Sequence, residues 1–183
     1  MKNEIRKTYK QKRSQMSKDD VTSKSEVASR LFLDSDIYKH CNTIMLYMPL
    51  GNEADTHTII DSAFSMGKKV VFPVTDAESG EITPYYAMAD TEFFKGAFSV
   101  SEPSGTNRAL AEDIDVIVVP GISFAKNGAR VGFGKGCYDR LLKQSNAVKV
   151  GFCYEFQICE DIPVDKHDIS MDYLVTENGL FKC

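Results

Sequence analysis

TIMLYMPLGNEADTHTIIDSAFSMGKKVVFPV, residues 43–74, reads as a strand, a helix and a second strand. Its two ends, TIMLYMP and KKVVFPV, are short apolar runs punctuated by proline. Between them Ile59, Ile60, Ala63 and Phe64 recur at helical spacing, and Gly67 supplies a stop. Three later runs share the texture of the two ends: DVIVVPG at 115–121, VKVGF at 148–152 and DYLVT at 172–176. Near-continuous apolar strands are expected where both faces of a parallel sheet are covered, and alternation with helices points the same way. The expected fold is α/β, an open, mostly parallel sheet in a three-layer α/β/α sandwich, with residues 1–183 forming one domain.

Outside this frame the N-terminal segment is expected to be helical, with Ile5, Tyr9 and Met16 on one side. Ser17 and Asp20 have capping-box spacing. They open a second helix whose core face is expected to carry Val27, Ala28, Leu31 and Phe32. Residues 76–108, punctuated by Gly, Pro and Ser, read as hairpins and loops with short strands around 82–86.

Composition narrows the class. The chain of 183 residues is 43% hydrophobic and 26% charged, enough for a substantial core. No apolar run reaches the roughly eighteen residues of a membrane span, and the opening MKNEIRKTYKQKRSQM lacks the apolar centre of a secretory signal. A cytoplasmic protein without a membrane partner is expected. The five cysteines are scattered and contain no C-x-x-C pair, so free thiols are expected rather than disulfides or a zinc site. His40 beside Cys41 has no further ligand at metal-binding spacing. A net charge of −4 argues against nucleic acid as a partner. The basic N-terminal segment, seven Lys and Arg against the single acid Glu4 over residues 1–18, suits a small anion instead.

In open α/β sheets ligands bind beyond the carboxyl ends of the strands. The most heavily loaded end is at 128–142, GARVGFGKGCYDRLL, where Gly132, Gly134 and Gly136 alternate just before an expected helix. Glycines so spaced leave backbone amides open to phosphate oxygens, and Arg130 and Lys135 add positive charge. A Walker A loop is excluded because Ala129 and Gly136 stand where Gly and Ser or Thr are required. The dinucleotide fingerprint fails at Cys137. Asp139, in the first turn of that helix, is placed to reach Mg²⁺ bridged to substrate phosphates. An ordinary surface loop, with Asp139 complementing the helix dipole, is the alternative on local grounds.

At these residues the sequence resembles the 5-formyltetrahydrofolate cyclo-ligase family. The match runs through VPGISFAKNGARVGFGKGCYDRLL, residues 119–142, with a Val-Pro-Gly strand end, an Asn-Gly-x-Arg turn, alternating glycines and a Tyr-Asp-Arg ending. It extends to Lys2 and Arg6, to Glu-x-Asp-Thr at 53–56, to Glu102 and Pro103, and to a closing segment rich in Asp and His. Ala125 stands where the family commonly has Asp, and Cys137 where it commonly has Tyr.

The resemblance implies a monomeric enzyme whose partners are 5-formyltetrahydrofolate and ATP, with Mg²⁺ as cofactor. In the family's scheme the formyl oxygen attacks the γ-phosphate and N10 then closes the ring. It implies catalytic roles for Arg130, Lys135 and Asp139, with Asp139 on the metal. ATP contacts then fall to Lys2, Arg6, Arg130, Gly132, Gly134, Lys135, Gly136 and Tyr138, with Arg13 a further candidate. For the folate it implies Glu53, whose two acceptors match the pterin 2-amino group and the adjacent ring N–H. Tyr47, Met48 and Tyr138 are candidate pocket walls, with core packing the alternative for each. Asp55 or Thr56 is expected to cap the next helix, and His167 and Asp168 to line the site. Two rival classes remain at this stage: a non-catalytic nucleotide-binding module, and an ATP-independent isomerase or acyltransferase on a similar sheet.

Overall fold

A computed structural model describes residues 1–105 and 107–183. Thr106, inside the stretch expected to form hairpins and loops, lies outside the described residues. Five α-helices are described: α1 (Lys2–Ser14), α2 (Lys18–Leu33), α3 (Asp36–His40), α4 (His57–Ser65) and α5 (Cys137–Leu142). The central strands are β1 (Thr43–Met45), β2 (Lys69–Thr75), β3 (Ile82–Ala87), β6 (Val116–Val119), β9 (Val148–Phe152), β11 (Tyr173–Thr176) and β12 (Gly179–Lys182). Two small sheets use β4 (Phe93–Lys95) with β5 (Ser101–Pro103), and β7 (Ser123–Ala125) with β8 (Arg130–Val131) and β10 (Ile158–Cys159).

The seven-stranded sheet has the order β12-β11-β9-β6-β1-β2-β3. Its five inner strands are mutually parallel, while β3 and β12 pair antiparallel at the two edges. The strand expected at 172–176 is therefore followed by one more. ENGLFKC ends in polar and exposed residues and gives too short an apolar run to register as a strand.

Side-chain alternation builds the layers. Ile44, Val70, Val116 and Val118 face one way and pack with Phe32 of α2, Tyr38 of α3 and Ile59 and Ile60 of α4. Met45, Val71, Ile117 and Val119 face the other way, onto Leu141 and Leu142 of α5. Ile44 and Ile117 are completely buried, and such side chains each contribute about 1.5–3 kcal/mol through burial.

The core face of α2 differs from expectation. Ser25, Ala28, Ser29 and Phe32 are buried, whereas Val27 and Leu31 are exposed. The inward stripe uses two serines, which a search for apolar periodicity passes over. Ser17 caps α2 by accepting from the amide of Asp20, as its spacing predicts.

Candidate active site

The chain leaves β1 for β2 on one side and returns to build β6, β9 and β11 on the other. The carboxyl ends of β1 and β6 thus flank the point where the connections diverge, the crevice in which open α/β sheets hold ligands. A cavity of about 460 Å³ lies there.

The wall beyond β1 is fixed by its own loop. The Tyr47 hydroxyl donates to Ala54 O (2.7 Å), and Thr56 Oγ1 donates back to Tyr47 O (2.7 Å). Glu53 is thereby held at the cavity with only 6% of its surface exposed. Its Oε2 accepts from the amide of Leu50 (3.0 Å), and its Oε1 lies 3.6 Å from Nη1 of Arg13. Burial raises the Glu53 carboxyl above its ordinary pKa, opposed by Arg13 and by the Leu50 amide. Burial likewise pushes the Tyr47 and Tyr138 phenols up, so both stay neutral and serve as pocket walls.

Beyond β6 the chain makes a hairpin, β7 antiparallel to β8, and then the glycine-rich segment. Gly134 (φ +103) and Gly136 (φ +64) occupy backbone conformations that side chains rarely adopt, and a Cβ at Gly132 would come within 2.8 Å of Arg130 Nη1. Arg140 staples this loop by donating to Lys135 O (3.0 Å), and to Gly80 O (2.8 Å) in the β2–β3 turn. The Arg130 side chain is 6% exposed: Nη1 donates to Pro120 O (3.2 Å) and Nη2 to Asp139 Oδ2 (3.1 Å). Its Nε is buried with no hydrogen-bond partner, and its guanidinium lies 5.6 Å from the Tyr138 ring centroid. The other oxygen of Asp139 accepts from the amide of Ile169 (3.2 Å).

Two further segments close the cavity. From α1, Lys2 is held by the carboxylates of Asp165 and Asp168, and Arg6 Nε donates to Gly132 O (2.8 Å). From the β4–β5 connection comes Phe98, whose ring lies 3.9 Å from the ammonium of Lys135. Phe98 (φ +53) and Ser99 (φ +65) are the non-glycine residues with positive φ among those described. Such conformations cost about 1–3 kcal/mol each and concentrate at functional sites.

The fold brings Lys2, Arg6, Tyr47, Met48, Glu53 and Arg130 to this one cavity, together with Gly132, Gly134, Lys135, Gly136, Tyr138 and Asp139. Asp168 lines it too, whereas His167 does not. Arg13 departs from expectation. It lies eleven residues from Lys2 on the same helix, about 16 Å along the axis, and faces Glu53 rather than the Lys2 and Arg6 end. Thr56 does not cap α4 through its side chain, which is spent on Tyr47; Asp55 accepts from the His57 amide instead (2.8 Å). Phe98, Val100 and Asp165 line the cavity without having been singled out from sequence. The one hint for Phe98 was an aromatic in a loop between Gly96 and Glu102.

Among the described residues no cluster of three or more His, Cys, Asp or Glu side chains is arranged to hold a metal ion. The donor set at Asp139 is a single carboxylate beside the glycine-rich segment. That fits Mg²⁺, which takes one or two carboxylates and completes its shell with phosphate oxygens and water, and not an ion needing an all-protein cage. All five cysteines are free thiols, and no described helix is long and apolar enough to cross a membrane.

Comparison with known proteins gives one consistent result. The model of the 5-formyltetrahydrofolate cyclo-ligase family matches residues 1–177. A probable 5-formyltetrahydrofolate cyclo-ligase of Schizosaccharomyces pombe is 29% identical, aligned over 99% of this chain and 97% of its own. The structure of a 5,10-methenyltetrahydrofolate synthetase from Aquifex aeolicus superposes with a TM-score of 0.88 at 35% identity, covering 99% of this chain and 92% of that one. A second such synthetase, from Mycoplasma pneumoniae, gives 0.78 at 26% identity over 96% and 98% of the two chains.

Proposed function

The chain belongs to the 5-formyltetrahydrofolate cyclo-ligase family, and from that membership we infer how its cavity divides the work of closing a folate ring. The enzyme is a ligase that uses ATP to convert 5-formyltetrahydrofolate to 5,10-methenyltetrahydrofolate, with release of ADP and phosphate.

Glu53, ionised, accepts from the pterin 2-amino group and the neighbouring ring N–H, while Tyr47, Met48 and Tyr138 wall the ring. The triphosphate lies along Gly132, Gly134 and Gly136, with Lys2 and Arg6 on its outer oxygens. Arg130 and Lys135 stand where the γ-phosphoryl group transfers. Catalysis here is positioning and charge stabilisation, as phosphoryl transfer generally requires. The formyl oxygen attacks the γ-phosphorus and ADP leaves. N10 then attacks the activated formyl carbon and gives up its proton, the C–O bond breaks, and phosphate departs with the former formyl oxygen. Asp139, with phosphate oxygens, would hold Mg²⁺, which when bound neutralises phosphate charge.

The observation that carries this reading is that the buried carboxylate Glu53 and the group Arg130, Lys135 and Asp139 face the same cavity. The test is isotopic. With ¹⁸O in the formyl group, the label should appear in the released phosphate. Label retained in folate or found in water would overturn the phosphorylation step.

A further inference from the structure

Glu53 poses a problem that the folate reading alone does not solve. It is a carboxylate with little of its surface exposed, and burial opposes its ionisation. Protonated, it would offer a hydroxyl donor where the pterin edge presents two donors of its own, and one of the two hydrogen bonds would be lost. Something must hold the charged form. Among the described residues the cation paired with it is Arg13.

That pair is specified from several sides. The two side chains are 12% and 7% exposed. Arg13 Nη1 also donates to Gly121 O (3.4 Å), at the end of the Val-Pro-Gly segment, and its guanidinium lies 5.9 Å from the Phe133 ring centroid. Asn52, the residue before Glu53, donates through Nδ2 to Arg13 O (3.0 Å) and Met16 O (3.1 Å), which locks the end of α1 to the loop carrying the carboxylate. Arg13 does not line the cavity.

We propose that Arg13 is a positioning residue for folate recognition: it keeps Glu53 ionised and aimed at the pterin without touching the substrate. The inference rests on the assignment of Glu53 to the pterin. Three phenols lie around Glu53, and Asp55, two residues along the chain, is paired with His57, which holds the Asp55 carboxyl low while Asp55 raises the imidazole. Tyr47 follows β1, Tyr138 belongs to α5, and Tyr154 donates its hydroxyl to Glu53 O (3.1 Å). Burial pushes all three upward, Tyr154 to about 12, so they are neutral wherever a carboxyl titrates. Beside the three phenols, Glu53 is therefore the buried group that changes charge at and below neutral pH; the Asp55–His57 pair is about half exposed and is left intact in every Arg13 variant.

The test is calorimetric binding of 5-formyltetrahydrofolate across the acid-to-neutral range, using the full chain as wild type, Arg13→Met, Arg13→Lys and Glu53→Gln. Wild-type affinity should fall toward acid as Glu53 protonates. In Arg13→Met the fall should move to higher pH by about one unit or more, the effect of removing an opposite charge at this range. Affinity within the displaced window should then drop about tenfold per unit. Arg13→Lys should restore most of the profile, and Arg13→Gln substitutes for the Met variant if that one does not fold. A uniform loss of affinity with no displacement, or a profile superimposable on wild type, overturns the role of Arg13 while Glu53→Gln still binds weakly. Wild-type affinity in Glu53→Gln would overturn the pterin assignment itself.

Discussion

Replacing Arg130 by lysine keeps the charge and removes the planar fork, and the surrounding geometry says what that costs. The guanidinium spends Nη1 on Pro120 O and Nη2 on Asp139 Oδ2, and lies against the Tyr138 ring. One ammonium on a shorter, differently shaped head cannot span both acceptors. At least one charge-assisted hydrogen bond is lost, about 1.5–3 kcal/mol, along with a cation–π contact of about 0.5–2 kcal/mol. A loss of roughly 2–5 kcal/mol lowers the thermal midpoint by about 4–20 °C in a chain of this size. The larger effect falls on turnover, because removal of one preorganised charged donor typically lowers kcat about 10²–10³-fold. KM for folate should change little, since Glu53 and its loop are untouched. The assay is formation of methenyl-folate by absorbance under saturating ATP, below the variant's own thermal transition. A folded Arg130→Lys enzyme with kcat within about twofold of wild type would refute the placement of Arg130 at the transferring phosphoryl group.

Gly134→Ala should distort the glycine loop, because φ +103 strains any side chain by about 1–3 kcal/mol and the new Cβ would lie 3.4 Å from Arg6; the expected result is a raised KM for ATP with folate affinity preserved. Phe32→Ala should cost about 3–5 kcal/mol in denaturant unfolding, and Val27→Ala, exposed on the same helix, no more than about 0.5 kcal/mol; comparable losses would contradict the α2 register. The docking of α1 should depend on pH. Burial pushes Asp168 up, but the Asp165 amide and Lys2 outweigh it, so its folded pKa is depressed. Its contribution is therefore complete above the ordinary aspartate range and lost as pH falls through the lowered value. Hydrogen exchange should show residues 2–14 losing protection in acid before β1 and β6 do, and protection retained until global unfolding would contradict this.

The layered fold was legible because a parallel sheet covered on both faces needs uninterrupted apolar strands, and residues 44–46, 70–72 and 116–119 supply them. What the sequence concealed has physical reasons. The buried stripe of α2 runs through Ser25 and Ser29, and Ser25 is there for its hydroxyl, which accepts from the Asp55 amide and meets the Tyr154 hydroxyl. The β7–β8 hairpin consists of three residues against two, below the length at which alternation registers. The glycine loop was visible because positive φ restricts residue type so strongly. Phe98 and Ser99 adopt positive φ without being glycine, so no residue type announced them. The partnership of Arg13 with Glu53 joins positions forty residues apart, a contact that no local spacing announces, and the resemblance offered Arg13 only as a further ATP candidate.

The most direct test of the central claim is stoichiometric. Purified, folded protein is mixed with 5-formyltetrahydrofolate, Mg²⁺ and ATP, and methenyl-folate and ADP are measured in the same reaction. One ADP for each ring closed, with neither product formed when either substrate is omitted, is the predicted result. ADP release that does not depend on folate, or folded protein that forms no methenyl product, would contradict it.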